Sequence, residues 1–173
     1  ILSSCASRQL EEVTFRRTVI PVQELLDAAG KYFKKLMKNR PERIELEIEP
    51  MEAKVIGDVN QLRFLLENLI DEALTVREDG VIRLQARKDN EYVRFLFTDT
   101  RREKSVEELN QLFYPNLARM TSGEKGELRG TEYLVCKQII RDHDEFAGRR
   151  GCRINAEPAE GGGFTVYFTI PRR

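Results

Sequence analysis

The stretch FTDTRREK, residues 97–104, carries the side chains with the clearest chemical potential in this sequence. An alternating apolar run ends in the carboxylate of Asp99, and four charged residues follow Thr100. A carboxylate at a strand end can serve a ligand or simply begin a turn. Arg101 and Arg102 can belong to the same site or be ordinary solvated surface charges. These residue types alone leave a binding site and a surface turn both open.

The cysteines do not suggest a second kind of site. Cys5, Cys136 and Cys152 are odd in number, lie far apart and lack a C-x-x-C spacing. That pattern argues against a disulfide framework and against a zinc site. We interpret them as reduced cysteines of a cytoplasmic protein.

Composition excludes several classes of function. The 173 residues suit one domain, and 40% apolar residues can supply an ordinary core. Lys plus Arg and Asp plus Glu both number 29, and no basic run could track a phosphate backbone, so nucleic acid is not expected as a partner. No apolar stretch approaches the roughly 20 residues of a membrane span, and no signal peptide is visible. We therefore expect no membrane contact from this segment.

Helical periodicity predicts the elements that must position these side chains. One helix opens at Pro21 and ends before Pro41, and a second follows Asp58, whose carboxylate is a plausible N-cap. A short helix is expected around 106–113, and a third main helix over about 131–141. The charged segment 100–129 between the second and third main helices is expected to be mobile.

Alternation of apolar and polar residues predicts the strands. RIELEIEP reads as a half-buried strand closed by Pro50, and the runs 81–87 and 92–98 form a hairpin. Further strands are expected at 15–20, 53–56, 152–156 and 164–170. The order predicts an α+β fold, a two-layer α/β sandwich whose mixed sheet carries about three helices on one face. Residues 1–12 are expected to end an upstream helix or linker, and 13–173 to form the domain.

This order of elements, with particular residues at the joints, resembles the C-terminal ATP-binding domain of sensor histidine kinases, the Bergerat fold of the GHKL superfamily. GDVNQLRFLLENLIDEAL is similar to the segment through the N box, FTDT to the start of the G1 box, and SVEELNQLFYP to the approach to the F box. GTEYLVCKQII is similar to the G2 box with its helix, and GGGFTVYFTIP to the last strand. The resemblance covers about 15–171. It implies these cofactor-binding positions: Asn68, Glu72, Asp99, Thr100, Phe113 and Gly130.

The cofactors that the resemblance implies are ATP and Mg²⁺, and the sequence departs from the family where it would hold them. The family's N-box helix presents two asparagines one turn apart, and here Glu72 replaces the second, which ligates the metal. A carboxylate is a good ligand for a hard cation, but it adds negative charge beside a triphosphate. Metal binding by Glu72 stays open, while ATP binding is handicapped.

The phosphate-binding glycines are also replaced. Those of the G1 box fall on Arg101 and Glu103, which do not offer the positive φ and close backbone approach of glycine. The G2 box reads Leu128-Arg129-Gly130-Thr131-Glu132-Tyr133, so that Gly130 alone remains. Glu132 near the helix N-terminus would favour the helix dipole but repel phosphate.

The family resemblance implies a role in bacterial two-component signal transduction, with the nucleotide site degenerate as in a pseudokinase. Its partners would be upstream dimerisation helices of a cytoplasmic or membrane-tethered parent protein and a response regulator. His143, the single histidine, lies too late in the chain to be a phosphoacceptor, and no catalytic residue is assigned. Two alternatives stay open: an active kinase domain that uses Glu72 for Mg²⁺, and a non-catalytic interaction module.

Two of the departures look complementary. Glu72 brings a carboxylate, and Arg101 or Arg102 brings a guanidinium, to the region where the family holds metal and triphosphate. We hypothesise that one arginine folds into that region, pairs bidentately with Glu72 and satisfies Asn68 or Asp99 nearby. The alternative is that the loop after Asp99 swings out into solvent.

Overall fold

The computed structural model describes residues 14–115 and 130–173 of the chain. Within these ranges the helices are α1 (Val22–Met37), α2 (Val59–Ala73), α3 (Val106–Gln111) and α4 (Glu132–Phe146). The strands are β1 (Thr18–Pro21), β2 (Ile44–Ile48), β3 (Lys54–Gly57), β4 (Gly80–Asp89), β5 (Tyr92–Asp99), β6 (Ile154–Pro158) and β7 (Phe164–Pro171). None of the helices in these ranges has the length and apolar character needed to cross a bilayer. The expected upstream helix at 1–12 and most of the loop before α4 lie outside the described residues.

The main sheet has five strands in the order β2-β4-β5-β7-β6. β2 runs parallel to β4, and the other three pairings are antiparallel, so the sheet is mixed as predicted. β3 does not join it: β1 and β3 form a separate antiparallel ribbon in which Ile20 faces Val55. The ribbon places Arg16, just before β1, beside Asp58, which precedes α2.

The core lies between one face of the sheet and the helices. From Tyr92 to Phe97 of β5, Val93, Phe95 and Phe97 are buried while the residues between them are partly exposed, the alternation of a sheet covered on one side. Phe95 stacks on Phe168 of β7 with ring centroids 4.8 Å apart. α2 packs against both α1 and α4, and its apolar face Leu62–Ala73 is buried as its periodicity predicts. The predicted α+β architecture is confirmed.

Several predicted boundaries were wrong, and side-chain contacts explain two of them. β1 begins at Thr18 rather than residue 15, because the ring of Phe15 packs edge-on against His143, with centroids 4.8 Å apart. β6 begins at Ile154 rather than 152, because the Asp144 carboxylate accepts the Cys152 amide at 3.0 Å and holds a turn there. α4 continues to Phe146, five residues beyond the expected end.

Candidate functional site

The N-terminus of α2 is capped by Asp58, as predicted. Its Oδ1 accepts the backbone N–H groups of Asn60 at 3.0 Å and Gln61 at 3.2 Å, which would otherwise lack partners in the first turn. Its Oδ2 accepts the N–H of Arg16 at 3.0 Å. One carboxylate therefore fixes both the start of α2 and the chain that enters the domain.

Further along α2, Asn68 is buried, with 7% of its surface exposed. Its Nδ2 donates to the carbonyl of Phe64, one turn earlier, at 2.8 Å. This contact is the backbone hydrogen bond that a buried asparagine needs irrespective of any ligand. Glu72 lies one turn later and lines a small cavity beside Asp99.

Asp99 ends β5, and its carboxylate is paired with the residue two positions later. The Oδ1 of Asp99 accepts from the Nε of Arg101 at 2.9 Å and from the backbone N–H of Arg101 at 3.0 Å. Its Oδ2 accepts from Nη2 of the same guanidinium at 2.9 Å. This is the bidentate fork that makes arginine–carboxylate pairs strong and directional. Both oxygens are thus engaged within the chain.

The rest of the Arg101 guanidinium binds the C-terminal end of α2 and the turn after it. Nη2 donates to the carbonyl of Ala73 at 2.6 Å, and Nη1 donates to those of Val76 at 2.8 Å and Glu78 at 3.0 Å. A guanidinium has five N–H donors. Two of them are donated to Asp99 and three to these carbonyls, so all five are used. The cation also lies where a helix leaves unpaired carbonyls and a partial negative charge. Only 1% of the Arg101 side chain is exposed.

Gly80 makes room for this arginine. A Cβ at Gly80 would lie 2.5 Å from Cγ of Arg101, and the glycine has φ +144, a conformation that other residues rarely adopt. The glycine that opens β4 is therefore required by the packing of the Arg101 stem as well as by its own turn.

The predicted pairing of an arginine with Glu72 was wrong, although an arginine does fold inward. Arg101 is bound to Asp99 instead, because a residue two positions away reaches the carboxylate with little loss of freedom and no donor remains for Glu72. Arg102 also lines the cavity beside Asp99, but its guanidinium pairs with Glu78 at 3.0 Å, and both of these side chains are about half exposed. The two adjacent arginines thus have opposite environments.

The cavity between Asp99 and Glu72 has a volume of about 40 Å³. Tyr133, Phe164 and Lys104 also line it, and Nζ of Lys104 lies 5.4 Å from the centre of the Phe164 ring. Ligand sites in proteins usually measure roughly 300–1,000 Å³, and one water needs about 10–15 Å³. In this arrangement the cavity holds a few waters at most.

The remaining predicted site residues do not line this cavity. The Thr100 hydroxyl donates to the carbonyl of Val81 on β4 at 2.6 Å. Phe113 is buried edge-on against Tyr133, with ring centroids 5.7 Å apart, so it lies one ring away from the cavity. Gly130 is buried with φ +79, which suits glycine at the approach to α4. Leu128 and Arg129 of the same predicted motif lie outside the described residues.

The described residues around Asp99 leave little room for a ligand as they are arranged. The Asp99 carboxylate has both oxygens engaged by Arg101. The adjoining cavity of about 40 Å³ is far below the volume of a nucleotide site. In residues 14–115 and 130–173 no group of three or more His, Cys, Asp or Glu side chains is placed to hold a metal ion.

His143 is a structural residue of the core. Its Nδ1 donates to the carbonyl of Ile139 at 2.8 Å, and its Nε2 accepts the backbone N–H of Asp58 at 3.1 Å. The ring is fully buried, and burial lowers its pKa, so the neutral form is favoured at pH 7. Burial likewise raises the pKa of the Cys136 thiol, which leaves it unreactive.

Sequence reasoning missed the acceptors that hold Arg101. Three of them are backbone carbonyls, which every residue carries and no motif marks. Tyr133 was also missed as a lining residue, since only the packing of α4 against the sheet brings it to Asp99. Gly80, placed just ahead of an alternating run, was the available signal that a side chain packs closely there.

Comparisons with known proteins identify the family of this chain. Residues 57–173 match the model of the family described as "Histidine kinase-, DNA gyrase B-, and HSP90-like ATPase". The search of curated proteins returned no significant match.

Similar solved structures include the mycobacterial sensor histidine kinase MprB, 18% identical with TM-score 0.70, covering 91% of this chain and 99% of that one. The Acinetobacter baumannii histidine kinase AdeS is 14% identical with TM-score 0.66, covering 98% and 79%. Histidine kinase ThkA, in complex with response regulator protein TrrA, is 19% identical with TM-score 0.69, covering 99% and 47%. These likenesses show the fold, and the family model matches well over half of the sequence. The chain therefore belongs to the histidine kinase-, DNA gyrase B- and HSP90-like ATPase family.

Proposed function

We propose that this is the ATPase-type domain of a bacterial sensor histidine kinase whose nucleotide site is degenerate, with Arg101 in place of the nucleotide. It would act in two-component signal transduction as a domain that transmits conformation rather than phosphate. Family membership and the similarity in fold to histidine kinase domains support the first part. The Arg101–Asp99 pair supports the second.

One observation carries this proposal. Every N–H donor of the Arg101 guanidinium and both carboxylate oxygens of Asp99 are engaged, by each other and by the carbonyls at and just after the end of α2. Adenine could reach Asp99 only if the guanidinium left one carboxylate and three carbonyls. The neutral amino group of adenine would then replace the guanidinium as the partner of Asp99. The charge-assisted bidentate pair that is lost is the stronger of the two interactions. Nucleotide binding would thus begin with a net loss.

The surrounding substitutions act in the same direction. Asn68, Glu72, Asp99, Thr100, Phe113 and Gly130 remain the predicted positions of the ancestral site. Of these, Glu72 adds a negative charge where a triphosphate would sit, and Glu103 replaces a second glycine of the loop. Losing one contact could be compensated elsewhere, but losing the adenine, metal and phosphate contacts together could not.

We further propose the setting in which such a domain would work. The domain would follow the dimerisation helices of a cytoplasmic or membrane-tethered parent protein, with residues 1–12 as the connection. A response regulator would be a partner, as the ThkA complex with TrrA suggests for domains of this fold. The phosphorylated histidine would lie outside this segment.

Calorimetric titration with ATP, in the presence and absence of Mg²⁺, tests the proposal. We expect no binding with a dissociation constant at or below about 10 μM, or roughly −7 kcal/mol. The Glu72→Asn variant, which repairs only the predicted metal ligand, should gain no ATP hydrolysis, because Arg101 still engages Asp99. Tight, Mg²⁺-dependent binding by the unmodified domain would instead support an active kinase that uses Glu72.

A second variant separates the proposed cause from a general loss of the fold. Arg101→Gly restores the family residue and frees Asp99, so it should bind adenosine more tightly than the unmodified domain does. Arg102→Gly is the matched control, since Arg102 lines the same cavity but is half exposed and pairs with Glu78 rather than with Asp99. Equal adenosine binding by both variants would contradict the role assigned to Arg101. Binding of no nucleotide or nucleoside by any variant would favour the pure interaction module.

A further inference from the structure

Three of the four Arg-Arg dipeptides, those at 16–17, 149–150 and 172–173, are far apart in the sequence. The fold brings one arginine of each dipeptide to a single cavity of about 420 Å³ at the end of the domain where the chain enters. We call it the arginine cavity; its charged lining is Arg17, Arg149 and Arg173, and its apolar lining includes Val19, Ile56 and Pro171. It is formed by the β1–β3 ribbon, the segment after α4 and the end of β7, away from Asp99.

One of the three guanidinium groups is held by a hydrogen bond, and a second lies against the backbone. Nη1 of Arg17 lies against Gly148, where an added Cβ would be only 2.7 Å away, and Gly148 has φ +95. Nη1 of Arg149 donates to the carbonyl of Glu91 at 2.7 Å, and its guanidinium lies 5.9 Å from the centre of the Tyr92 ring. For Arg149, less side-chain freedom then remains to be lost when a ligand binds.

The positive charge of the arginine cavity is largely unbalanced. Among the described residues no Asp or Glu lines it, and neither Arg17 nor Arg173 makes an ion pair. The carboxylate of Glu91 lies 3.9 Å from Nε of Arg149, but it is 70% exposed and so well screened. Since the formal net charge of the whole chain is zero, this excess of positive charge is a local feature of the cavity.

A purely structural explanation accounts for only part of the cluster. Arg17 lies at the C-terminal end of α4, where a cation favours the helix dipole. That argument does not extend to Arg173, which follows β7. Three cations that share one concave surface, with only the exposed Glu91 carboxylate near one of them, repel each other, and an anionic ligand would relieve that repulsion.

We propose that the arginine cavity binds an organic phosphate monoester, with the phosphate among Arg17, Arg149 and Arg173 and its organic part on the apolar floor. Planar guanidinium groups match phosphate oxygens in bidentate geometry. Its volume falls within the roughly 300–1,000 Å³ of small-molecule sites, whereas a flat acidic protein surface would leave the concavity unfilled. The apolar floor favours an ester over inorganic phosphate.

Titration of the domain with phenyl phosphate and with inorganic phosphate, followed by calorimetry at 0.15 M salt, tests this inference. We expect saturable binding of phenyl phosphate with a dissociation constant below about 1 mM, and weaker binding of inorganic phosphate. Arg17→Gln and Arg149→Gln should each weaken phenyl phosphate binding at least about tenfold, the loss expected for one charge-assisted hydrogen bond.

The other arginine of two of these dipeptides provides the matched control. Arg16→Gln and Arg150→Gln remove the same charge from the same region but from side chains that do not line the cavity, so each should change binding less than about twofold. No saturable binding at millimolar concentration would overturn the inference. Equal losses in lining and control variants would overturn it too, because they would indicate general electrostatic attraction.

Phosphate binding by the arginine cavity does not depend on the proposed function, and the Arg17→Gln variant distinguishes the two. If the unmodified domain binds ATP and Arg17→Gln abolishes that binding, the nucleotide occupies the arginine cavity. If Arg17→Gln leaves ATP binding intact, the nucleotide lies elsewhere, and the proposal for Asp99 fails while the phenyl phosphate result still decides the cavity.

Discussion

Replacing Arg101 with methionine should destabilise the domain far more than the same change at its neighbour Arg102. Methionine keeps most of the length and volume of the arginine stem, so the main change is the loss of the guanidinium. The Asp99 side chain is 5% exposed and would be left as a buried carboxylate without its cation. Three backbone carbonyls, at the end of α2 and in the turn after it, would also lose a donor.

The magnitude follows from this burial. Removing one partner of a buried ion pair costs about 3–5 kcal/mol, because the other charge is left uncompensated. We expect about 3 kcal/mol for Arg101→Met, since water can enter the adjoining cavity and solvate Asp99 in part. The pair of Arg102 with Glu78 is 55% and 50% exposed, so Arg102→Met should cost less than about 1 kcal/mol.

Urea unfolding followed by far-ultraviolet circular dichroism measures these free energies of unfolding, since the chain has no tryptophan to report by fluorescence. Adding Asp99→Asn to Arg101→Met should recover at least about 1 kcal/mol, because it removes the stranded charge. If Arg101→Met and Arg102→Met cost the same, or if the second substitution adds a further loss, the account of Arg101 given above is refuted.

Two further predictions concern the backbone near Asp99 and the core histidine. Gly163→Ala should cost at least about 2 kcal/mol of unfolding free energy, because the new Cβ would lie 2.1 Å from the carbonyl oxygen of Asp99 in a backbone with φ +85. Gly161→Ala has nearly the same φ, +86, but no atom within 4 Å, so a cost equal to that of Gly163→Ala would count against the steric argument. Burial lowers the pKa of His143 below its unfolded value near 6.5, so the unfolded chain takes up the proton first. The contribution of the neutral ring to stability should thus be fully present above about pH 7 and be lost progressively as the pH falls below about 6.5. Urea unfolding at several pH values checks this, and a flat profile between pH 7 and 5 would show that the ring is not held neutral.

Much of the fold could be predicted because its signals are local. Asp58 caps α2 because a carboxylate before a helical apolar pattern has only the nearby amides of the first turn to reach. The period of apolar residues located α1, α2 and the β4–β5 hairpin within a few residues, since side-chain direction follows directly from backbone geometry. The family resemblance rested on residues at the joints of these elements, and the family match over 57–173 confirms it.

What the tertiary structure alone decided was which partners the charged side chains found. From the sequence, Glu72 and Asp99 were both possible partners for a buried arginine, and Arg101 and Arg102 were equivalent candidates. The choice depended on the position of the Ala73 and Val76 carbonyls relative to β5, a distance between elements that no local pattern contains. The arginine cavity arose in the same way, because segments more than a hundred residues apart meet only when the ribbon, α4 and β7 pack together. Local sequence specifies the direction of each side chain, whereas packing determines what that side chain meets.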